Sequence, residues 1–127
     1  DLDLLTTPYV FNTDEARRMT EAGADIIVAH MGLTTGGAIG AVTTKTLDDC
    51  VREVQAIADT CKSIRPEVLV LCHGGPIALP PDAQFILEQC TGVDGFYGAS
   101  SMERLPTEQA LTAEVRRFAE IKLPTRA

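Results

Sequence analysis

The sequence lacks tryptophan, and only 5% of its 127 residues are aromatic. Basic residues are also scarce: 11 lysines and arginines stand against 18 aspartates and glutamates, so the net charge is −7. An acidic surface repels nucleic acid and anionic membranes, so neither is expected as a partner. No apolar run approaches the roughly 20 residues that a membrane span needs.

The four cysteines form no C-x-x-C pair. Cys50 and Cys61 fall on one face of a predicted helix, and Cys72 lies inside an apolar strand. We therefore expect buried free thiols, because a free cysteine packs as a small hydrophobic residue. Free thiols are typical of a reducing compartment, and the first residues do not resemble a signal peptide. A cytoplasmic protein is expected.

Hydrophobic residues make up 45% of the chain, enough for a core. Strands are predicted at residues 4–11, 25–29, 68–72 and 95–99, from their β-branched, aromatic and apolar content. Helices are predicted after each strand, beginning near residues 13, 46, 81 and 106. This alternation predicts one α/β domain over residues 1–127 with a parallel sheet.

Both histidines of the chain, His30 and His73, directly follow a predicted strand and precede glycines. Ligands of parallel α/β folds bind at the carboxyl ends of the strands. Imidazole titrates near neutral pH, so both residues are candidate catalytic groups that move a proton. The alternative is a structural histidine that donates a hydrogen bond to a nearby carbonyl.

Small and polar residues follow all four predicted strands. Glycine lets backbone N–H groups approach an anion closely, and hydroxyl or amide groups can bind the same anion. The candidate residues for binding a phosphate or carboxylate are Asn12, Thr34, Thr35, Gly36, Gly37, Gly74, Gly75, Gly98, Ala99, Ser100 and Ser101. The glycines could equally be turn residues. Arg104 could add positive charge or lie at the surface, and Glu103 is interpreted as a helix-start acid rather than a base.

The chain resembles the phosphoenolpyruvate hydrolase-like TIM-barrel family in four segments: TTPYVFN, AGADIIVAHMGLTTGGAIGA, CHGGPIALPPDAQFIL and GFYGASSMERLPTE. The resemblance covers about residues 4–121, and the family includes a domain of a plant tobamovirus-resistance protein. A closed barrel needs eight strands, and this chain supplies four strand–helix units. The resemblance therefore implies the C-terminal half of a (β/α)8 barrel, with strands five to eight. A small open sheet of flavodoxin-like type is the competing architecture.

The family is similar in fold to the phosphoenolpyruvate mutase and isocitrate lyase superfamily, in which acidic residues bind Mg²⁺. No matching acidic cluster follows these strands, so we predict no metal ligand in this chain. Any Mg²⁺ would bind through residues outside it. The resemblance implies a small anionic substrate, and either a homo-oligomer or pairing with an N-terminal half barrel.

Three functions are compatible with these patterns. The favoured one is an enzyme, of hydrolase or of lyase or mutase type, acting on a small phosphorylated or carboxylated acid such as phosphoenolpyruvate. The second is a non-catalytic module that senses a metabolite or binds another protein, as in signalling or antiviral regulation. The third is a non-functional half barrel that persists by self-association.

Overall fold

The computed structural model describes residues 2–37, 40–43 and 45–122. Strands and helices alternate along these residues, and a short helix is inserted before the last one. In chain order the elements are β1 (Tyr9–Val10), α1 (Thr13–Glu21), β2 (Ile26–His30), α2 (Leu47–Ile64), β3 (Leu69–His73), α3 (Pro80–Gln89), β4 (Gly95–Phe96), α4 (Ser100–Glu103) and α5 (Leu105–Ala119).

The four strands form one sheet in the order β1-β2-β3-β4. Each neighbouring pair is parallel. The predicted α/β class with a parallel sheet is confirmed, and the arrangement is compatible with part of a TIM barrel. The central pair is in continuous register, from Ile26 opposite Leu69 to His30 opposite His73.

Helix starts follow from local capping. The side chain of Asn12 accepts a hydrogen bond from the N–H of Glu15 at 2.9 Å, which satisfies a free donor of α1. Thr46 and Asp49 form a reciprocal capping box at the start of α2. Pro80 begins α3, where its missing N–H costs nothing.

One face of the sheet is covered by helices. Successive side chains of a strand point to opposite faces, so alternate residues share a face. Val10, Ile27, Ala29, Val70 and Cys72 lie on the covered face, and all are 0% exposed. They pack in one core with residues of α1, α2 and α3. This core is the main source of hydrophobic stabilisation among the described residues.

The other face, which we call the open face, carries the alternate residues of the same strands. Tyr9 and Leu69 lie on it and are 41% and 44% exposed, although Val28 between them is buried. Val28 is not part of the helix-packed core. The open face therefore keeps large side chains partly accessible to solvent.

The strands differ in length from the prediction. β1 is much shorter, because Pro8 has no N–H to donate and therefore cannot extend the ladder on that side. The preceding chain still lies beside β2, because the carbonyls of Thr6 and Pro8 accept from the N–H groups of Ile26 and Val28 at 3.1 and 3.0 Å. The carboxylate of Asp25 also accepts from the N–H and hydroxyl of Thr6 at 2.8 and 2.7 Å. β4 is also shorter, since it ends at Phe96 rather than at residue 99. β2 and β3 each begin and end one residue later than predicted, so both histidines are strand residues.

The last helix also differs from expectation. The sequence places Leu111, Val115 and Phe118 on one face of this helix, spaced by three and four, which predicts a packed apolar stripe, but all three are exposed. Only Leu105, at its start, is buried. None of the helices within the described ranges has both the length and the apolarity that crossing a membrane requires. All four cysteines are free; Cys90 is partly exposed and the other three are buried, as expected.

Candidate functional site

The two histidines meet at the carboxyl end of the sheet. They are the last residues of β2 and β3 and are direct partners in the strand register. Partners in register point to the same face, and here both point to the open face. Their ring centroids are 4.8 Å apart, with the planes at 73°. Two residues 43 positions apart in the chain thus form one imidazole pair.

Three aromatic side chains surround this pair. Tyr9 stacks on His73, with centroids 5.1 Å apart and an interplanar angle of 28°. Phe11 lies 4.8 Å from His30, and Tyr97 contacts the edge of His73 at 5.8 Å. These five residues are called the ring cluster below. Sequence reasoning missed its three aromatic members, although they share the period-two pattern of the open face.

Backbone groups hold both imidazoles by their Nδ1 atoms. The N–H of Gly32 donates to Nδ1 of His30 at 3.0 Å. Nδ1 of His73 lies 2.7 Å from the carbonyl oxygen of Tyr97. A bond to a nearby carbonyl is the structural role that the sequence left open for a histidine after a strand. The bond involves only Nδ1, so the second ring nitrogen of His73, Nε2, takes no part in it.

The environment favours the neutral form of His30. Burial, and then the charge of the neighbouring His73, lower the pKa of His30 from its ordinary value of 6.5. Burial, and then the nearby Tyr97, also raise the pKa of the Tyr9 phenol. Around neutral pH, His30 and Tyr9 are therefore expected to be uncharged.

The loops after β2 and β3 are joined next to the imidazoles. Thr35 donates from its N–H and its hydroxyl to the carbonyl of Gly75, at 3.2 and 3.3 Å. The N–H of Gly75 donates to the carbonyl of Gly32 at 2.7 Å. These bonds occupy the N–H of Gly75, so its predicted contact with an anion would need the loop to rearrange.

Gly74 and Gly75 allow this close approach of two backbones. Both have positive φ, and a Cβ at Gly75 would overlap the carbonyl oxygen of Met31. A Cβ at Gly74 would overlap the carbonyl oxygen of Gly32 and lie 3.5 Å from the His30 ring. The turn role proposed as the alternative for these glycines is present in the structure, and anion binding by them stays a prediction.

The fourth unit is linked to the loop after β2. The hydroxyls of Thr34 and Ser100 lie 2.9 Å apart. Arg104 donates to the carbonyl of Gly36 at 3.2 Å and pairs with Glu108 at 3.3 Å. Arg104 thus binds this loop, a role that its position in the sequence left open.

The remaining candidates have local structural contacts. Ala99 precedes α4, and its carbonyl accepts from the N–H groups of Met102 and Glu103. A Cβ at Gly98 would overlap Met102, and one at Gly37 would overlap Leu105. Ser101 lines a cavity of about 230 Å³ beside α3, away from the imidazoles. Anion binding by these residues remains untested.

Asn12 lies after β1, as predicted, but its amide is engaged in capping. Its oxygen accepts from the N–H of Glu15, and its nitrogen donates to the Glu15 carboxylate at 3.0 Å. A predicted role in anion binding would compete with this cap.

The Mg²⁺ expectation was tested against the carboxylates and imidazoles. Among the described residues, no group of three or more histidines, cysteines, aspartates or glutamates could hold a metal ion. Mg²⁺ in proteins is usually bound through one or two carboxylates, and the ring cluster contains none. The residues present therefore do not fit Mg²⁺, and the possibility that residues outside this chain supply its ligands stays a prediction.

The largest cavity that we describe does not coincide with the ring cluster. It measures about 420 Å³ and lies between Gly37 and the α5 residues Glu108 to Arg116. Its lining includes neither imidazole. The ring cluster lies instead on the open face, where a ligand would contact a surface rather than an enclosed chamber. The imidazoles, rather than the cavity, therefore define the candidate site.

The fold is that of a parallel α/β protein, compatible with part of a TIM barrel, with polar groups at the carboxyl ends of the strands. The model of the phosphoenolpyruvate hydrolase-like family matches residues 1–121, so the chain belongs to this family. The resemblance seen in the four sequence segments is confirmed.

Two tomato (Solanum lycopersicum) proteins, the ToMV susceptible protein tm-1(GCR26) and the ToMV resistance protein Tm-1(GCR237), are each 61% identical over 122 residues. These residues are 96% of this chain and 16% of each tomato protein. A more distant relative is y4pA of Sinorhizobium fredii (strain NBRC 101917 / NGR234), whose name describes it as a candidate transcriptional regulatory protein. It is 28% identical over 119 residues, which are 94% of this chain and 19% of that protein. The chain thus spans less than a fifth of the length of these relatives.

Proposed function

We propose that this chain contributes to an enzyme acting on a small phosphorylated or carboxylated acid of the phosphoenolpyruvate type. One observation carries the proposal: His30 and His73 touch at the carboxyl end of a parallel sheet, on its open face. Imidazoles at this place can exchange protons with a ligand near neutral pH. Membership of the phosphoenolpyruvate hydrolase-like family supports the choice of substrate class.

The anion of the substrate would lie near the loops that join the imidazoles to the fourth unit. The Thr34 and Ser100 hydroxyls form a bonded pair there, and Arg104, whose charge is paired with Glu108, donates to the same loop. Hydroxyl and guanidinium groups are suitable donors to a phosphate or carboxylate. Gly74, lying beside the His30 ring, would connect this region to the imidazoles.

The proposal includes a half barrel whose strands correspond to five to eight of the family. β1 and β4 each pair with one strand in the described sheet, so each has an edge free for another strand. A barrel encloses its interior face, and the partly exposed Tyr9 and Leu69 occupy that position here. Either an N-terminal half barrel or a second copy of this chain would cover them.

The test is turnover. The full protein is incubated with phosphoenolpyruvate and Mg²⁺, and pyruvate and phosphate are measured as the products of hydrolysis. We expect His73→Ala to reduce the rate by about 10²–10⁴-fold, the usual contribution of a general base. Thr60→Ala, a change at a partly exposed residue of α2, is the control and should retain the rate. Absence of pyruvate with the wild-type protein, across several divalent metals, would reject phosphoenolpyruvate hydrolysis.

The second candidate function is a binding or regulatory module. The names of the tomato relatives concern a virus response, and that of y4pA concerns transcription. The exposed apolar stripe of α5 is the observation within this chain that favours it. In that case His30→Ala and His73→Ala would leave partner binding unchanged, as measured by titration calorimetry, whereas an enzyme would lose rate far more than affinity.

A reducing, cytoplasmic location is part of the proposal. Burial raises the pKa of Cys72 to about 12 and that of Cys50 to about 11, so both thiols stay protonated and unreactive at neutral pH. Protein purified without reductant and then denatured should show four titratable thiols for this chain. A lower number would indicate disulfides and contradict the proposed location.

A further inference from the structure

The backbone contacts of the two imidazoles determine where each ring carries its proton. A backbone N–H can only donate, so Nδ1 of His30, which accepts from Gly32, is unprotonated. Neutral His30 therefore has its proton on Nε2. This nitrogen is a hydrogen-bond donor to any ligand at the ring cluster.

His73 has the opposite arrangement. A carbonyl oxygen can only accept, so Nδ1 of His73 carries the proton that it shares with Tyr97 at 2.7 Å. Neutral His73 then has a lone pair on Nε2, which is an acceptor and a base. The same residue type thus has opposite hydrogen-bonding roles on adjacent strands.

The surroundings hold these orientations. His73 is 7% exposed and stacks on Tyr9, and His30 is flanked by Phe11 and by His73 itself. The hydrogen bonds to Gly32 and Tyr97 both use Nδ1 and therefore leave each Nε2 for a ligand. Each Nδ1 atom is bonded to a backbone group. For His30 to become the acceptor and His73 the donor, both rings would have to flip and both hydrogen bonds would be lost.

We propose that His30 and His73 form a fixed donor–acceptor pair that binds one oxygen carrying a proton: a ligand hydroxyl, or a water molecule held beside a bound acid. That oxygen would accept from Nε2–H of His30 and donate to Nε2 of His73. A keto or carboxylate oxygen can only accept, so it would satisfy His30 alone. The inference rests on the proposed function, because it concerns the same site, and it names the ligand class as small hydroxy acids and their enols.

The same geometry assigns the direction of proton transfer. The proton of the bound O–H passes to Nε2 of His73, and the O–H electron pair stays on the oxygen. The resulting oxyanion keeps the hydrogen bond from Nε2–H of His30, and the His73 imidazolium keeps its Nδ1–H bond to Tyr97. His73 is the base and His30 stabilises the oxyanion; the lowered pKa of His30 agrees with a neutral donor in this position.

The first test is the tautomeric state, observed by long-range ¹H–¹⁵N NMR on the full protein above the ordinary histidine pKa. His30→Gln and His73→Gln assign the signals by the one that each removes. We expect the Nε2–H tautomer for His30 and the Nδ1–H tautomer for His73. The same tautomer at both residues, or the reverse assignment, would overturn the inference without affecting the proposal of an enzyme.

The second test uses L-lactate and pyruvate, which differ in having a hydroxyl or a keto oxygen at the same carbon. Shifts of the imidazole signals should show L-lactate binding roughly 2- to 10-fold more tightly, the usual effect of one net hydrogen bond. His73→Phe should abolish this preference, whereas His30→Gln, which retains an N–H donor, should keep most of it. Equal affinity for both probes, or no binding of either, would overturn the assigned ligand class.

These outcomes separate the two proposals. Correct tautomers and a preference for L-lactate, together with no turnover of phosphoenolpyruvate, would uphold the donor–acceptor pair and reject the hydrolase. Turnover of phosphoenolpyruvate with identical tautomers at both histidines would uphold the enzyme and reject the fixed pair.

Discussion

The two faces of the sheet are made from the same strands, yet they differ in chemistry. On the covered face, Ile27 and Val70 pack against helices and exclude water. On the open face, the alternate residues of the same strands include the two imidazoles and a partly exposed tyrosine. The alternation of strand side chains therefore allows one element to serve stability and a site at once. The comparison suggests that substitutions one residue apart should have very different consequences.

The largest effect is expected from truncating the covered face. Ile27→Ala should lower the free energy of unfolding by about 2–5 kcal/mol, because it leaves a cavity in a closely packed core. Its neighbour Ile26 lies on the open face and is only partly buried, so Ile26→Ala should cost well under half as much. Urea unfolding of both variants measures the difference. Similar losses for the two would mean that the open face is as tightly packed as the core.

A smaller effect is expected at Gly75, where the loops after β2 and β3 are joined by backbone hydrogen bonds next to the imidazoles. Gly75→Ala should cost about 1–3 kcal/mol, because φ is +59° and the new Cβ would overlap the Met31 carbonyl oxygen. Gly23→Ala is the matched control, since φ is +92° there but nothing lies within 4 Å of the added Cβ.

Thermal unfolding of the two glycine variants separates backbone strain from steric overlap. Gly23→Ala should lose only the strain contribution, about 1 kcal/mol. If Gly75→Ala were no less stable than Gly23→Ala, the contact between the two loops would differ from the one described here.

The smallest effect concerns pH. The folded-state pKa of His30 is lowered, so the unfolded chain binds more protons in the interval between that value and 6.5. Stability should therefore increase with pH across this interval, and fall as the solution is acidified from neutral pH. His30→Gln should reduce that dependence in unfolding measurements at stepped pH values. An unchanged pH profile in His30→Gln would show that another group is responsible.

Much of the fold could be predicted because it depends on local patterns. The stripe of α2, with its spacing of three and four, predicted a helix that the structure places at Leu47–Ile64. The apolar run before His73 predicted a parallel strand, which is confirmed, but the burial of both its faces that such a run indicates is wrong, because Leu69 on the open face is 44% exposed. Boundaries were less certain, since the length of β1 depends on Pro8 and on the strand beside it.

The candidate site was only partly predictable. The shared position of His30 and His73 followed from strand ends, but the contribution of Tyr9, Phe11 and Tyr97 depends on how all four strands align. The exposure of the α5 stripe was not predictable either. An amphipathic pattern states that a face is apolar, but it does not say which surface is available to cover it.

The order of residues alone determined the alternation of strands and helices, the family, and the placement of each histidine at a strand end, because these depend on neighbours within a few positions. The tertiary structure alone decided that the two rings touch and that one is a donor while the other is an acceptor. The register of β2 and β3 brings the rings together, and the pairing of β3 with β4 brings the carbonyl of Tyr97 to Nδ1 of His73. The N–H of Gly32, by contrast, reaches Nδ1 of His30 from two residues further along the same loop.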